Sequence, residues 1–290
     1  MRRIEFANIA QASAFIESLV SMESRPTSAS EAPTPASMPP VPTQLPPESA
    51  QLPLASTQLP PVPTQLPPES TPASQVPTPP PPAATSRGVR QIIGVSGPPG
   101  TGKSTFAKDL VAELNRRAGT NFAAYLPMDG FHFSNAILEA KGLAAHKGAP
   151  QTFDVAGYCA LLRRVRERPA GSIYAPDYVR SKHEPIAASI EIGEEVSVVV
   201  TEGNYLGLET GGWGGVRAYL DTLLYLDTPH ADLHERLIAR QLAGGRTRAQ
   251  AEEWFRTVDE PNAFLVEATA ARADYVVRMR YDAAPTGTAS

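Results

Sequence analysis

The stretch GVSGPPGTGKST, residues 94–105, places four residues between Gly97 and Gly102 and follows the second glycine with Lys103 and Ser104. Backbone amides of such a small-sided loop can close around phosphate oxygens. A lysine at this spacing reaches the outer phosphates of a nucleotide, and the hydroxyl after it holds Mg²⁺. Gly97, Pro98, Pro99, Gly100, Thr101, Gly102, Lys103, Ser104 and Thr105 are therefore the candidate nucleotide-binding residues, with ATP and Mg²⁺ the expected cofactors. The alternative is a Gly/Pro-rich turn that binds nothing. The flanking elements decide between the two, because the pattern needs a strand before it and a helix after it.

Both are legible. Ile92, Ile93 and Val95 form a short β-branched run of the kind a buried strand needs. Phe106, Leu110, Val111 and Leu114 then recur at helical spacing, with Gly119 placed to stop the helix. Further strands are expected at 121–127, 195–201, 222–227 and 274–278. Helices are expected between them: one capped by Asp154, one after Pro229, and one opened by Thr247 and Gln250, with a break at Pro261. Strand-helix alternation predicts an α/β fold, a parallel sheet of about five strands with helices on both faces. Ligands of such sheets bind at the carboxyl ends of the strands.

That rule selects two carboxylates. Asp129 follows the second strand, in PMDGFHFSN, and Glu202 ends the third, in VVVTEGNYL. Beside a phosphate loop, one carboxylate can accept a proton from an attacking hydroxyl while the other helps hold Mg²⁺ or the acceptor. The plainer alternative is that both cap turns before Gly130 and Gly203.

GVSGPPGTGKST, MDGFHFSN, KGAPQTFD, YAPDY and VVVTEGNYL, in this order, resemble the P-loop kinase superfamily that contains uridine kinase, phosphoribulokinase and type I pantothenate kinase. Within it the chain resembles bacterial nucleoside/nucleotide kinase-like, or fructose-transport-associated kinase-like, proteins. The resemblance covers 90–280. It implies that Asp129 is the general base or orients the acceptor hydroxyl, and that Glu202 lies near the acceptor and the metal. It also implies that the YAPDYVRSKHEP region folds over the acceptor; His132, Tyr178, Arg180 and Asn204 are the candidate acceptor-side residues, and Arg180 could equally be a solvated loop arginine. His132 could equally be a polar tip packed beside Phe131 and Phe133. Arg236, Arg240 and Arg246, around Gly244 and Gly245, read as a lid that closes over the triphosphate, with Arg240 catalytic. The expected activity is transfer of a phosphoryl group to a hydroxyl of a nucleoside, a pantothenate-like molecule or a sugar. The competing reading is a nucleotide-dependent switch.

Composition bounds the rest. The chain has 290 residues and a formal net charge of −4, which gives no support for general nucleic-acid binding. Twenty of its 30 prolines precede residue 90. The segment 21–88 repeats PVPTQLPPES at 40–49 and 61–70 and reads as a disordered spacer carrying PxxP-like ligands for an SH3-type partner. Residues 1–20 carry Ile4, Phe6, Ile9, Phe15, Leu19 and Val20 in a rough helical stripe, read as a short amphipathic helix with few contacts to the domain. The domain itself is expected at 89–282, with a disordered end at 283–290. Cys159 is the sole cysteine and excludes an internal disulfide, which fits a reducing, cytoplasmic setting. No stretch reaches the length of a membrane span.

Overall fold

The structure is a computed structural model that describes residues 2–23 and 89–279. The elements run β1 (Arg2–Phe6), α1 (Ile9–Glu23), β2 (Gln91–Ser96), α2 (Lys103–Ala118), β3 (Ala123–Pro127), α3 (Asn135–Ala140), α4 (Val155–Glu167), β4 (Ile173–Val179), β5 (Glu184–Ile192), β6 (Val198–Glu202), β7 (Thr222–Leu226), α5 (His230–Ala243), α6 (Arg248–Trp254), α7 (Glu260–Glu267) and β8 (Tyr275–Met279). Six strands form one all-parallel sheet in the order β1-β8-β7-β2-β6-β3.

Period-two alternation sorts the strand residues between two cores. Ile92, Val199, Leu223 and Val276 face one side, where they pack with Tyr158, Leu162 and Trp213. Ile93, Val95, Val198, Val200 and Leu224 face the other, against Phe106, Leu110 and Leu114 of α2. Burial on both faces explains why these strands read as continuous apolar runs. The local signals behave as their chemistry requires. Gly119 ends α2 in a left-handed conformation and bonds Asn115 O at 2.9 Å. Asp154 caps α4 by accepting from Gly157 N, and Thr247 with Gln250 forms a capping box.

Three expectations need correction. The sheet has six strands, because Arg2–Phe6 pairs in parallel with β8 along its whole length. Ile4 and Phe6 belong to this strand and not to a helical stripe. Two apolar residues at i and i+2 suit either element, and the open edge of β8 decides the matter. The helix starts only at Ile9, after Asn8, whose side chain accepts from Gln11 N at 3.1 Å. It is also part of the fold: Ala12 and Ile16 are fully buried in the α2-side core, and Glu17 makes a paired contact with Arg117 of α2 at 2.7 and 2.8 Å.

The chain does not break at Pro261. A π-helical turn at Phe255–Asp259 leads from α6 into α7, and Pro261 occupies the first turn of α7, where a missing N–H costs little. The YAPDY region is strand. It forms β4, which pairs antiparallel with β5 in a separate hairpin and carries an irregularity between Ala175 and Asp177. Pro176 sits at that irregularity, where a ladder donor is not needed. The proline-rich repeats, their SH3-type ligand sequences and the end at 283–290 lie outside the described residues. Among the described residues no helix is long and apolar enough to cross a membrane.

Candidate phosphoryl-transfer site

The sheet register builds the site. Glu202, the last residue of β6, stands opposite Val95 of β2 on one side and Pro127 of β3 on the other. Three strands therefore end at one level. The turns that leave them carry the phosphate loop, the 128–131 turn and Gly203 to one edge of the sheet.

The loop from Gly97 to Gly102 joins β2 to α2, as the motif demands. Gly102 has φ 87°, a left-handed conformation that a side chain would resist, and the position its Cβ would take lies in open space. Lys103 is the first residue of α2 and is buried, with its Nζ donating to Pro98 O at 2.9 Å. Burial lowers its pKa to about 8, against the opposing pull of Glu202 and Asp129. Thr101 is also buried, and its hydroxyl has no hydrogen-bond partner among the described residues.

Ser104 follows and donates from Oγ to Glu202 Oε1 at 2.8 Å. The same oxygen accepts from the Tyr125 hydroxyl at 2.7 Å. Glu202 is buried, which raises its pKa, and the nearby charge of Asp129 raises it further. Tyr125 was not singled out from the sequence. Its signal was its place two residues before the end of β3, on a strand that must lie beside β6.

Asp129 lies in a 3-10 turn, Met128–Phe131, that continues β3. Its carboxylate is half-buried and forms no hydrogen bond among the described residues, while its backbone oxygen accepts from His132 N. The β4–β5 hairpin sits directly on this turn: a Cβ on Gly130 would lie 2.3 Å from Pro176 O. Only glycine allows that approach. The hairpin thereby brings Tyr178 to His132, with ring centroids 5.0 Å apart. His132 packs on Phe153 and Tyr178 rather than beside Phe131 and Phe133, and burial holds its pKa below the usual imidazole value. Lys147, also missed in the sequence, bonds Asn135 Oδ1 and His183 O and reaches over the Tyr178 ring. Asn204 offers its backbone oxygen to Ser96 Oγ at 3.1 Å. The Arg180 side chain, just past β4, is exposed and makes no hydrogen bond or ion pair among the described residues, while its backbone oxygen accepts from His183 N at 3.2 Å.

The expected lid arginines separate. Arg236 Nη1 lies 3.5 Å from Gly100 O, at the loop itself. Arg240, one turn later on α5, pairs with Asp259 at 3.7 Å. Arg246 is engaged within the α5–α6 unit, over the Trp254 ring and bonded to Gln241. Asp259 was not legible beforehand, because its approach to α5 depends on the π-helical turn.

These residues fit a magnesium nucleotide. Space is open over Gly102, the Lys103 ammonium has donors to spare, the Thr101 hydroxyl is unpaired, and a hydroxyl and a carboxylate meet at Ser104 and Glu202. No cluster of three metal-ligating side chains occurs among the described residues.

Comparison with known proteins agrees with this geometry. The chain is 36% identical over 190 residues to the uncharacterized protein YggC of Escherichia coli K12, covering 66% of this chain and 78% of that one. It is 30% identical over 195 residues to the "Putative uridine kinase C227.14" of Schizosaccharomyces pombe, covering 65% and 83%. Among solved structures it is similar to a "putative fructose transport system kinase" from Silicibacter sp. TM1040, with TM-score 0.61 and 36% identity over 66% of this chain and 91% of that one. Residues 92–282 match the model of the Phosphoribulokinase / Uridine kinase family, and the chain belongs to that family.

Proposed function

We propose that this protein is an ATP-dependent kinase that transfers the γ-phosphoryl group to a hydroxyl of a small metabolite. The observation that carries the reading is the free carboxylate of Asp129, set at the strand ends beside a phosphate loop whose Ser104 is bonded to Glu202. A switch needs no acceptor base. The loop amides and Lys103 hold the triphosphate, and the start of α2 adds favourable charge. Ser104 and Glu202 would hold Mg²⁺, which would neutralise charge on the phosphates. Asp129 accepts the proton as the acceptor oxygen bonds to the γ-phosphorus, the bond to the β–γ bridging oxygen breaks, and ADP leaves. His132, Tyr178, Arg180 and Asn204 are the acceptor-side residues in this reading, Tyr178 and Arg180 being supplied by the β4–β5 hairpin.

The names of the relatives support a hydroxyl acceptor of the nucleoside, pantothenate or sugar type. The lone thiol of Cys159 fits a reducing, cytoplasmic setting. A screen of metabolite classes for acceptor-dependent ADP release tests the proposal. A kinase releases ADP in proportion to one acceptor class. Slow hydrolysis indifferent to every class would favour a nucleotide switch instead.

A further inference from the structure

We infer that Tyr125 is a positioning residue of the metal site: its hydroxyl pins one oxygen of the Glu202 carboxylate, leaves only the other for the cation, and so favours Mg²⁺ over Ca²⁺. The inference rests on the reading above, in which Ser104 and Glu202 hold the metal of the nucleotide, and adds the residue that sets the choice of cation.

Register brings the two side chains together. β3 is an edge strand paired with β6, and Tyr125 stands opposite Val200. Glu202 lies two residues beyond Val200, so Tyr125 and Glu202 leave the sheet on the same face. That face is the α2 side, where the Tyr125 ring packs against the core that holds Val200 and Leu110. Ser104 comes from the first turn of α2, and one turn later Lys108 sets its Nζ 5.0 Å over the Tyr125 ring. Packing and cation together hold the ring, and the ring holds its hydroxyl.

The hydroxyl ends on a single atom. Tyr125 donates to Glu202 Oε1 at 2.7 Å, and Ser104 donates to the same oxygen at 2.8 Å. Glu202 Oε2 takes no hydrogen bond among the described residues, although the side chain is buried. Two charge-assisted donors on one oxygen fix the carboxylate in one orientation. Ser104 is itself a metal-binding residue in this reading, so Tyr125 is the donor committed to Oε1 alone. A carboxylate with one oxygen held in this way offers a single oxygen to a cation. That suits Mg²⁺, which demands a near-octahedral shell, whereas Ca²⁺ accepts bidentate carboxylates and looser geometry. Phenylalanine would fill the same space beside Val200, so packing alone does not call for the hydroxyl.

The test uses the full chain and ADP, and needs no acceptor. ADP affinity is measured by titration calorimetry in EDTA, in Mg²⁺ and in Ca²⁺ for the wild type, Tyr125→Phe, Glu202→Gln and the double variant. For Tyr125→Phe the expected affinity in EDTA is within about twofold of wild type, the gain from Mg²⁺ is about fivefold or more smaller, and the gain from Ca²⁺ is within about twofold of wild type. Because Tyr125 acts through Glu202, the double variant should gain from Mg²⁺ as much as Glu202→Gln alone. An undiminished Mg²⁺ gain in Tyr125→Phe, equal losses with both cations, an equal loss in EDTA, or losses that add in the double variant would each overturn the inference and leave the kinase reading standing. A wild type that gains nothing from Mg²⁺ would remove the metal site at Ser104 and Glu202, and the inference with it.

Discussion

Ser104 and Glu202 meet at 2.8 Å, oxygen to oxygen, across the gap between the first turn of α2 and the end of β6. They are 98 residues apart in the chain. The contact exists because β2 and β6 pair in register, so the loop that leaves β2 passes beside the last residue of β6. Removing the charge from Glu202 should therefore be felt through the metal. Glu202→Gln is expected to weaken nucleotide binding about tenfold or more in the presence of Mg²⁺ and little in EDTA. Titration calorimetry under both conditions reads the difference, and equal losses in both would separate Glu202 from the metal.

Lys103 couples function to stability. Its pKa in the folded protein is lowered from 10.5 to about 8, chiefly by burial. Below pH 8 it is charged in both the folded and unfolded states, and its burial costs about 3 kcal/mol. Between about pH 8 and 10.5 the folded state releases the proton while the unfolded state keeps it, so stability rises with pH across that window. Lys103→Met should abolish transfer yet raise the apo protein's stability at pH 7, with the gain shrinking toward pH 10. Denaturant melts at pH 7 and 9.5 check this. A destabilised Met variant at pH 7 would contradict it.

The N-terminal segment is a working part of the domain. Phe6 and Ile16 are buried, and full burial of side chains of this size contributes about 1.5–3 kcal/mol each. Deleting residues 2–23 should lower the melting temperature by many degrees and expose the apolar face of α2. Ile16→Ala should cost about 2–4 kcal/mol. Chemical denaturation of both proteins measures the effect, and unchanged midpoints would show that β1 and α1 do not dock in solution.

Gly130 tests the seat of the hairpin. A methyl group there would collide with the backbone of Pro176, which cannot bend aside as a flexible side chain could. Gly130→Ala should raise the KM for the acceptor several-fold or more while Mg·ADP affinity stays within about twofold, because overpacking shifts the hairpin and leaves the loop in place. Equal effects on both ligands would instead show a general loss of folding.

Five of the six parallel strands, the phosphate loop and the places of Asp129 and Glu202 at strand ends were legible because each leaves a local mark: a β-branched run, a Gly-Lys-Ser spacing, an acid at the end of an apolar strand. What escaped depends on distant partners. Ile4 and Phe6 become a strand only because β8 offers an edge. Tyr125 matters only because β3 lies beside β6, which turns its hydroxyl toward Glu202. Pro261 reads as a break until the π-helical turn before it supplies a place where its missing donor goes unneeded. Arg246 sets its guanidinium over Trp254, eight positions on, a contact that depends on how α6 follows α5.

Asp129→Asn bears most directly on the claim that this chain is a kinase. The substitution keeps the shape of the side chain and removes the proton acceptor from the turn after β3. With an acceptor in hand, kcat should fall by about 10²–10⁴-fold, the usual worth of positioned acid-base catalysis, while Mg·ADP affinity changes little. A variant with wild-type kcat and a stability loss of about 1 kcal/mol would mean that Asp129 merely caps the turn before Gly130, and the account would be contradicted.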